Sequence, residues 1–141
     1  MTLRPGIYEL TPDDCLRLLK TVPVGRVGVT IDALPVVLPV NFVVNDDAIV
    51  FRTVPGTKLD AATKGMVVAF EADHYGTSTE PWGWSVLVRG VAQEITDPTE
   101  LQAVQTLPLE SWALDGSADR YIKIVPTMIS GRRVIPTEGV T

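Results

Sequence analysis

The chain has 141 residues, 45% of them hydrophobic and 21% charged, and its 17 acidic against 12 basic side chains give a formal net charge of −5. Nucleic acid is a poor partner for such a chain, because phosphate backbones are held by clustered Lys and Arg, and the only adjacent basic pair is Arg132-Arg133. No apolar run approaches the roughly 20 residues that cross a bilayer, MTLRPGIYEL lacks the basic and apolar regions of a signal peptide, and the lone Cys15 has no intramolecular disulfide partner; a cytoplasmic protein of one domain over 1–141 is expected.

Thr11-Pro12-Asp13-Asp14 opens the first element as a helix, with a capping hydroxyl, a proline at the first helical position and two carboxylates on the positive end of the dipole. It should run to about Thr21. Cys15, Leu18, Leu19 and Val22 share one face at spacings of three and four, which makes Cys15 a small core residue rather than a nucleophile. Strand patterns rich in Val and Ile then cover 25–31, 35–44, 48–53, 66–73 and 84–95. Asn45-Asp46-Asp47 between two apolar runs predicts a tight hairpin. Asp97-Pro98 opens a helix across 99–106, and a last strand is expected over 121–130, with Arg132 and Arg133 following a turn at Gly131. Some six strands, short connections and three short helices predict a mainly β chain, closed or nearly closed into an antiparallel barrel.

The junction after the third strand carries the most chemistry. Phe51-Arg52-Thr53 meets a Pro55-Gly56 turn that is followed at once by Thr57, Lys58 and good helix formers. Gly56 permits a sharp turn, an opening helix offers unpaired N–H groups, and Lys58 and Arg52 bring positive charge, a combination suited to a phosphate. The motif is looser than a Walker A loop, and an ordinary capped helix beside solvated cations has the same composition.

VGRVGVTIDALPVVLPVNFVVNDDAIVFRTVPGTKL, then MVVAFEAD and GWSVLVRGVAQEI, resembles the pyridoxamine 5′-phosphate oxidase-like superfamily of flavin-binding split β-barrels, in particular its short actinobacterial-type branch. The resemblance covers about residues 7–135. It implies a homodimer with FMN at the subunit interface, or a deazaflavin in its place. By that resemblance, the backbone of Pro39, Val40 and Asn41 lies against the ring, though Pro39 has no N–H to give. Arg52 and Thr53 approach the ribityl phosphate, Thr57 and Lys58 grip it, and Trp84 and Ser85 come near the cofactor. Trp82 and Trp84 are two apart, hence on one face if extended, and are expected to wall the ring or to fill the dimer core.

The chemistry implied is hydride transfer to a small hydrophobic or aromatic acceptor, with the cofactor supplying the reactive atom. YIKIVPTMISGRRV lacks the Trp and Arg region with which the true oxidases recognise pyridoxal phosphate, so that substrate is not expected. Some relatives of this barrel bind haem, which makes the single His74 a candidate ligand as well as a proton donor or a plain strand-end residue. Glu71 and Asp73 share a face; with one His and one Cys no zinc site is expected. The competing expectations are a carrier that holds flavin or haem without turnover and a structural dimerisation module.

Overall fold

The computed structural model describes residues 4–76, 82–109 and 120–136. In chain order the elements are β1 (Gly6–Glu9), α1 (Pro12–Leu19), β2 (Val24–Ile31), β3 (Leu34–Asn41), β4 (Val43–Asn45), β5 (Ala48–Thr53), α2 (Lys58–Ala62), β6 (Val67–His74), β7 (Gly83–Glu94), α3 (Pro98–Gln105) and β8 (Arg120–Ile135). The strands form one antiparallel sheet in the order β3-β2-β6-β7-β8-β5-β4, with β1 added to the far end of β8.

The outermost strands of that order, β3 and β4, are consecutive in the chain and separated only by Phe42. The sheet therefore curls until its two edges come together, which makes it a split barrel. The sequence pattern predicts one strand across 35–44. The break arises because the Phe42 side chain turns into the interior, 3% exposed, while its N–H donates to the Pro23 carbonyl. Pro35 and Pro39 fit β3 because it is an edge strand in the sheet order, where a missing N–H breaks no ladder.

Alternation along β2, β6 and β7 sends Val27, Val29, Phe70, Ala72, Trp84, Val86 and Val88 inward, where they meet Phe42, Phe51 and Ile122 in one buried cluster. The Phe42 and Phe70 rings pack edge to face at 4.7 Å. Helix α1 plugs the barrel with Cys15, Leu18 and Leu19; its Thr11 hydroxyl accepts from the Asp14 N–H at 3.2 Å, as the capping motif predicts. A second, smaller cluster, Val50, Ile95, Val104 and Leu109, lies where α3 covers the outside of β5 and β8. Asp46 and Asp47 take positive φ in the β4–β5 turn, as a tight hairpin requires.

Two expectations about the C-terminal strand are corrected. Gly131 makes no turn: β8 continues through it for 16 residues, so Arg132 and Arg133 lie within the strand. Glycine is required there for closeness, since a Cβ would stand 2.7 Å from the Cys15 Sγ and 3.0 Å from the Ser85 carbonyl. The added strand β1 pairs with this extension, Glu9 opposite Arg132. A bulge also bends β8. Arg89 pairs with Met128 and Gly90 with Pro126, leaving Thr127 as the extra residue, its hydroxyl donating to the Arg89 carbonyl at 3.0 Å.

The bulge depends on Gly90, because a Cβ there would sit 2.2 Å from the Val125 carbonyl oxygen. Gly90→Ala is expected to destabilise the chain by about 1–3 kcal/mol, the usual cost of overpacking, measured by urea denaturation. An unchanged midpoint would contradict this account of the bulge.

Candidate functional site

The turn after β5 is organised by a residue that local sequence patterns do not single out. Asp60, 3% exposed, accepts the Thr53 hydroxyl on Oδ1 at 2.9 Å and the Gly56 N–H on Oδ2 at 3.2 Å. Its own N–H donates to the Thr57 Oγ1 at 3.2 Å, which makes Thr57 the N-cap of α2. Arg120 Nε lies 3.7 Å from one carboxylate oxygen and Lys64 Nζ 3.6 Å from the other. Burial by itself would raise the Asp60 carboxyl. The bonds from Thr53 and Gly56 and the charges of Arg120 and Lys64 outweigh it and hold the group below its ordinary value.

This arrangement changes what the turn offers. The expected unpaired N–H groups are largely engaged: Gly56 with Asp60, Thr57 with the Val54 carbonyl at 3.2 Å, and Asp60 with the cap. With five residues, α2 has little dipole to add. Positive charge at the turn must come from Lys58, which stands 78% exposed and 3.6 Å from the Asp32 carboxylate across the β2–β3 turn. A surface pair of this kind is worth about 0–1 kcal/mol, so Lys58 can exchange Asp32 for a stronger anion at small cost.

Arg52 does not join Lys58. Successive strand residues face opposite ways, and while Thr53 turns towards Asp60, the Arg52 guanidinium donates to the Leu109 carbonyl at 3.1 Å and lies 5.3 Å from the centre of the Tyr121 ring. The expected pocket made jointly by Arg52 and Lys58 is thus replaced by two separate cations.

The ladder between β4 and β5 ends at the pair Val43–Val50. Beyond it, β3 and β5 are not neighbours in the sheet, and the open seam between them is the split of the barrel. Val40 and Asn41 end β3 on one side, and Arg52 and Thr53 end β5 on the other. Val40 buries its side chain at 6% exposure, and by the ladder's alternation its N–H and C=O aim at β2, on the side where the Phe42 N–H meets the Pro23 carbonyl; Asn41, the next residue, aims its backbone away from β2 towards the seam. At the Asn41 end a cavity of about 540 Å³ is lined by Pro23, Asn41, Phe42, Leu107, Pro108 and Leu109.

The remaining expected residues divide between the two faces of the sheet. Trp84 points inward, 3% exposed, among Phe70, Ala72 and Val86, in the core of its own barrel. Trp82 packs half-buried against the same cluster, with the Arg133 guanidinium 5.2 Å from its ring centre. Ser85, half-buried, faces outward between Asp73 and Arg132 in the ladder, and Pro39 stands exposed opposite Arg26. His74 ends β6 exposed, paired with Trp84 in register.

The outer face of β3, β2, β6 and β7 bears a shallow groove of about 420 Å³, floored by Gly28, Val37, Ala69 and Leu87. Beside it Arg26 meets Glu71 at 3.2 Å and Asp73 at 3.6 Å, two carboxylates sharing one guanidinium. Burial, and then the neighbouring Asp73, push the Glu71 carboxyl up to about 7 against the opposing pull of Arg26. Among the described residues no cluster of three or more His, Cys, Asp or Glu could hold a metal ion, and no helix is long and apolar enough to cross a membrane.

Residues 11–133 match a family model described as pyridoxamine 5′-phosphate oxidase. The uncharacterized protein Rv0080 of Mycobacterium tuberculosis is 37% identical over 134 residues, covering 92% of this chain and 86% of its own. Among solved structures, the FAD binding protein from Mycobacterium smegmatis superposes with a TM-score of 0.80 at 38% identity, covering 90% of this chain and 98% of that one. A conserved protein of unknown function from Corynebacterium diphtheriae gives 0.75 at 28% identity, covering 92% and 98%. The chain belongs to the pyridoxamine 5′-phosphate oxidase family, and its fold is the flavin-binding split barrel of that family.

Glu71 should leave a mark on stability. Between the ordinary glutamate value and about 7 the folded chain holds more protons than the unfolded one, so this group's stabilising contribution is lost as pH rises through that window. Glu71→Gln is therefore expected to gain on the parent in melting temperature between about pH 5 and about pH 8. Parallel melting curves across that range would contradict the coupling.

Proposed function

We propose that the chain binds a flavin by its phosphate and ring at the barrel's split and passes hydride between that cofactor and a small apolar or aromatic acceptor. The observation that carries this reading is the placement of Thr57 and Lys58 beside an edge strand that carries no second ladder. A flavin phosphate makes the same two demands, a cation at one end and a hydrogen-bonding backbone along a flat ring at the other. The residues present fit: Lys58 is exposed and weakly engaged, the Thr53 and Thr57 hydroxyls give their protons to Asp60 and to the Val54 carbonyl and so hold the turn in shape, and Val40 and Asn41 border the seam.

FMN carries the minimum ligand this site needs. FAD contains the same ring and first phosphate, which accords with the description of the Mycobacterium smegmatis relative as an FAD binding protein; a deazaflavin offers the same two ends. A bound flavin supplies hydride transfer at its N5, and the protein's share is binding, orientation and exclusion of water. The apolar floor of Gly28, Val37, Ala69 and Leu87 is suited to a small acceptor without charge. A carrier that holds flavin or haem without turnover is the second reading.

The outer sheet face is also the proposed seam of a homodimer. Val37, Val67, Leu87 and Met128 are 67%, 71%, 40% and 56% exposed on it. Arg26 and Arg89 share the face with Glu71 and Asp73, so a twofold axis can set opposite charges against each other. Because the barrel interior is filled by side chains, a cofactor has to lie outside it, and a second copy would deepen a shallow groove into a pocket.

Two measurements test these statements. Lys58→Ala is expected to weaken FMN binding by about 1.5–3 kcal/mol, the range for a hydrogen bond to a charged group, read by quenching of flavin fluorescence; parental affinity would remove Lys58 from the site. Sedimentation at micromolar concentration should show a dimer, and a complex burying more than about 2,000 Å² in total, as permanent interfaces do. A monomer at that concentration would refute the shared interface.

A further inference from the structure

We infer that Asp60 is the positioning residue of the phosphate grip, acting through Thr53, Gly56 and Thr57 without touching the ligand; the inference rests on the phosphate reading above. A buried carboxylate is an unexpected neighbour for an anion site, since it repels the ligand and is costly to desolvate. Its contacts show what it does instead. One oxygen takes the Thr53 hydroxyl, the other takes the Gly56 N–H, and the residue's own N–H is capped by Thr57. Two points, Thr53 and Gly56, are thus tied to the Asp60 side chain and a third, Thr57, to its backbone N–H, and Lys58 leaves the chain one residue after the cap.

The charge of Asp60 is offset from outside the turn. Arg120 on β8 stands 3.7 Å from its Oδ1 and also bonds Glu94 on β7 at 3.0 Å, while Lys64 stands 3.6 Å from its Oδ2. The sheet and the end of α2 neutralise the carboxylate, so Lys58 keeps its charge for the ligand. Asparagine can keep both contacts by turning its carbonyl oxygen to the Gly56 N–H and its NH₂ to the Thr53 hydroxyl oxygen, whereas alanine removes both ties.

The test compares FMN with riboflavin, which has the ring and ribityl chain but no phosphate. In the parent, FMN should bind more tightly than riboflavin. Asp60→Ala is expected to weaken FMN by at least about tenfold, the effect of one charged hydrogen bond, and to leave riboflavin affinity where it was. Thr53→Val removes one of the two side-chain ties with little change of shape, and should shift the FMN-to-riboflavin ratio in the same direction by less, so the inference remains testable should Asp60→Ala fail to fold. A purely structural role would lower both affinities together or neither. Folded variants that keep the parental ratio, or that lose both ligands equally, overturn the inference. Equal binding of FMN and riboflavin by the parent overturns the phosphate reading itself and this inference with it.

Discussion

The constraint on which the rest depends is that the two edges of the sheet are one residue apart in sequence. With β3 and β4 joined through Phe42, the strand order cannot lie open; it must curl, and the curl places Phe42 against Phe70 at the centre of the interior. Burial of such side chains is worth roughly 1.5–3 kcal/mol each, and the filled interior leaves no room there for a ligand. What the closure leaves incomplete is the seam between the ends of β3 and β5. The same constraint therefore stabilises the barrel and locates a stretch of unladdered strand edge beside the Thr57-Lys58 turn.

The electrostatics follow from that placement. In a chain with an acidic excess, the turn collects Lys58, Lys64 and Arg120, but two of these cations are committed to Asp60. The free charge is confined to one exposed lysine whose present partner, Asp32, is also exposed. On the outer face Arg26 serves both Glu71 and Asp73 beside an apolar groove. The two regions differ in polarity, as a phosphate site and an apolar acceptor surface should.

Much of this was legible in the sequence because it is written locally. Thr11-Pro12 and Asp97-Pro98 name their helices through caps that need only the next three residues, and the alternation of β6 and β7 states which side chains go inward. The hairpin aspartates and the Pro-Gly turn are equally local. Phe42 was not legible, because an apolar residue in an apolar run gives no sign that the strand breaks there. Gly131 was misleading: glycine marks a turn and also marks close packing, and the neighbour that decides, Cys15, lies on another element. Strand β1 is exposed at every position and so shows no alternation. Asp60 was missed since its partners, Thr53 and Arg120, are separated from it by a turn and by most of the sheet. Trp84 was placed on the right face relative to Trp82, but alternation alone cannot say which face is the interior.

The claim on which the account stands is that the ligand lies at the split, outside the packed interior. The structure of the protein grown with FMN tests it most directly. The phosphate is expected within hydrogen-bonding distance of Lys58 Nζ, with the ring along the edge of β3 that faces the seam near Val40 and Asn41. A phosphate bound at another cation of the chain, with Lys58 still paired to Asp32, would contradict it.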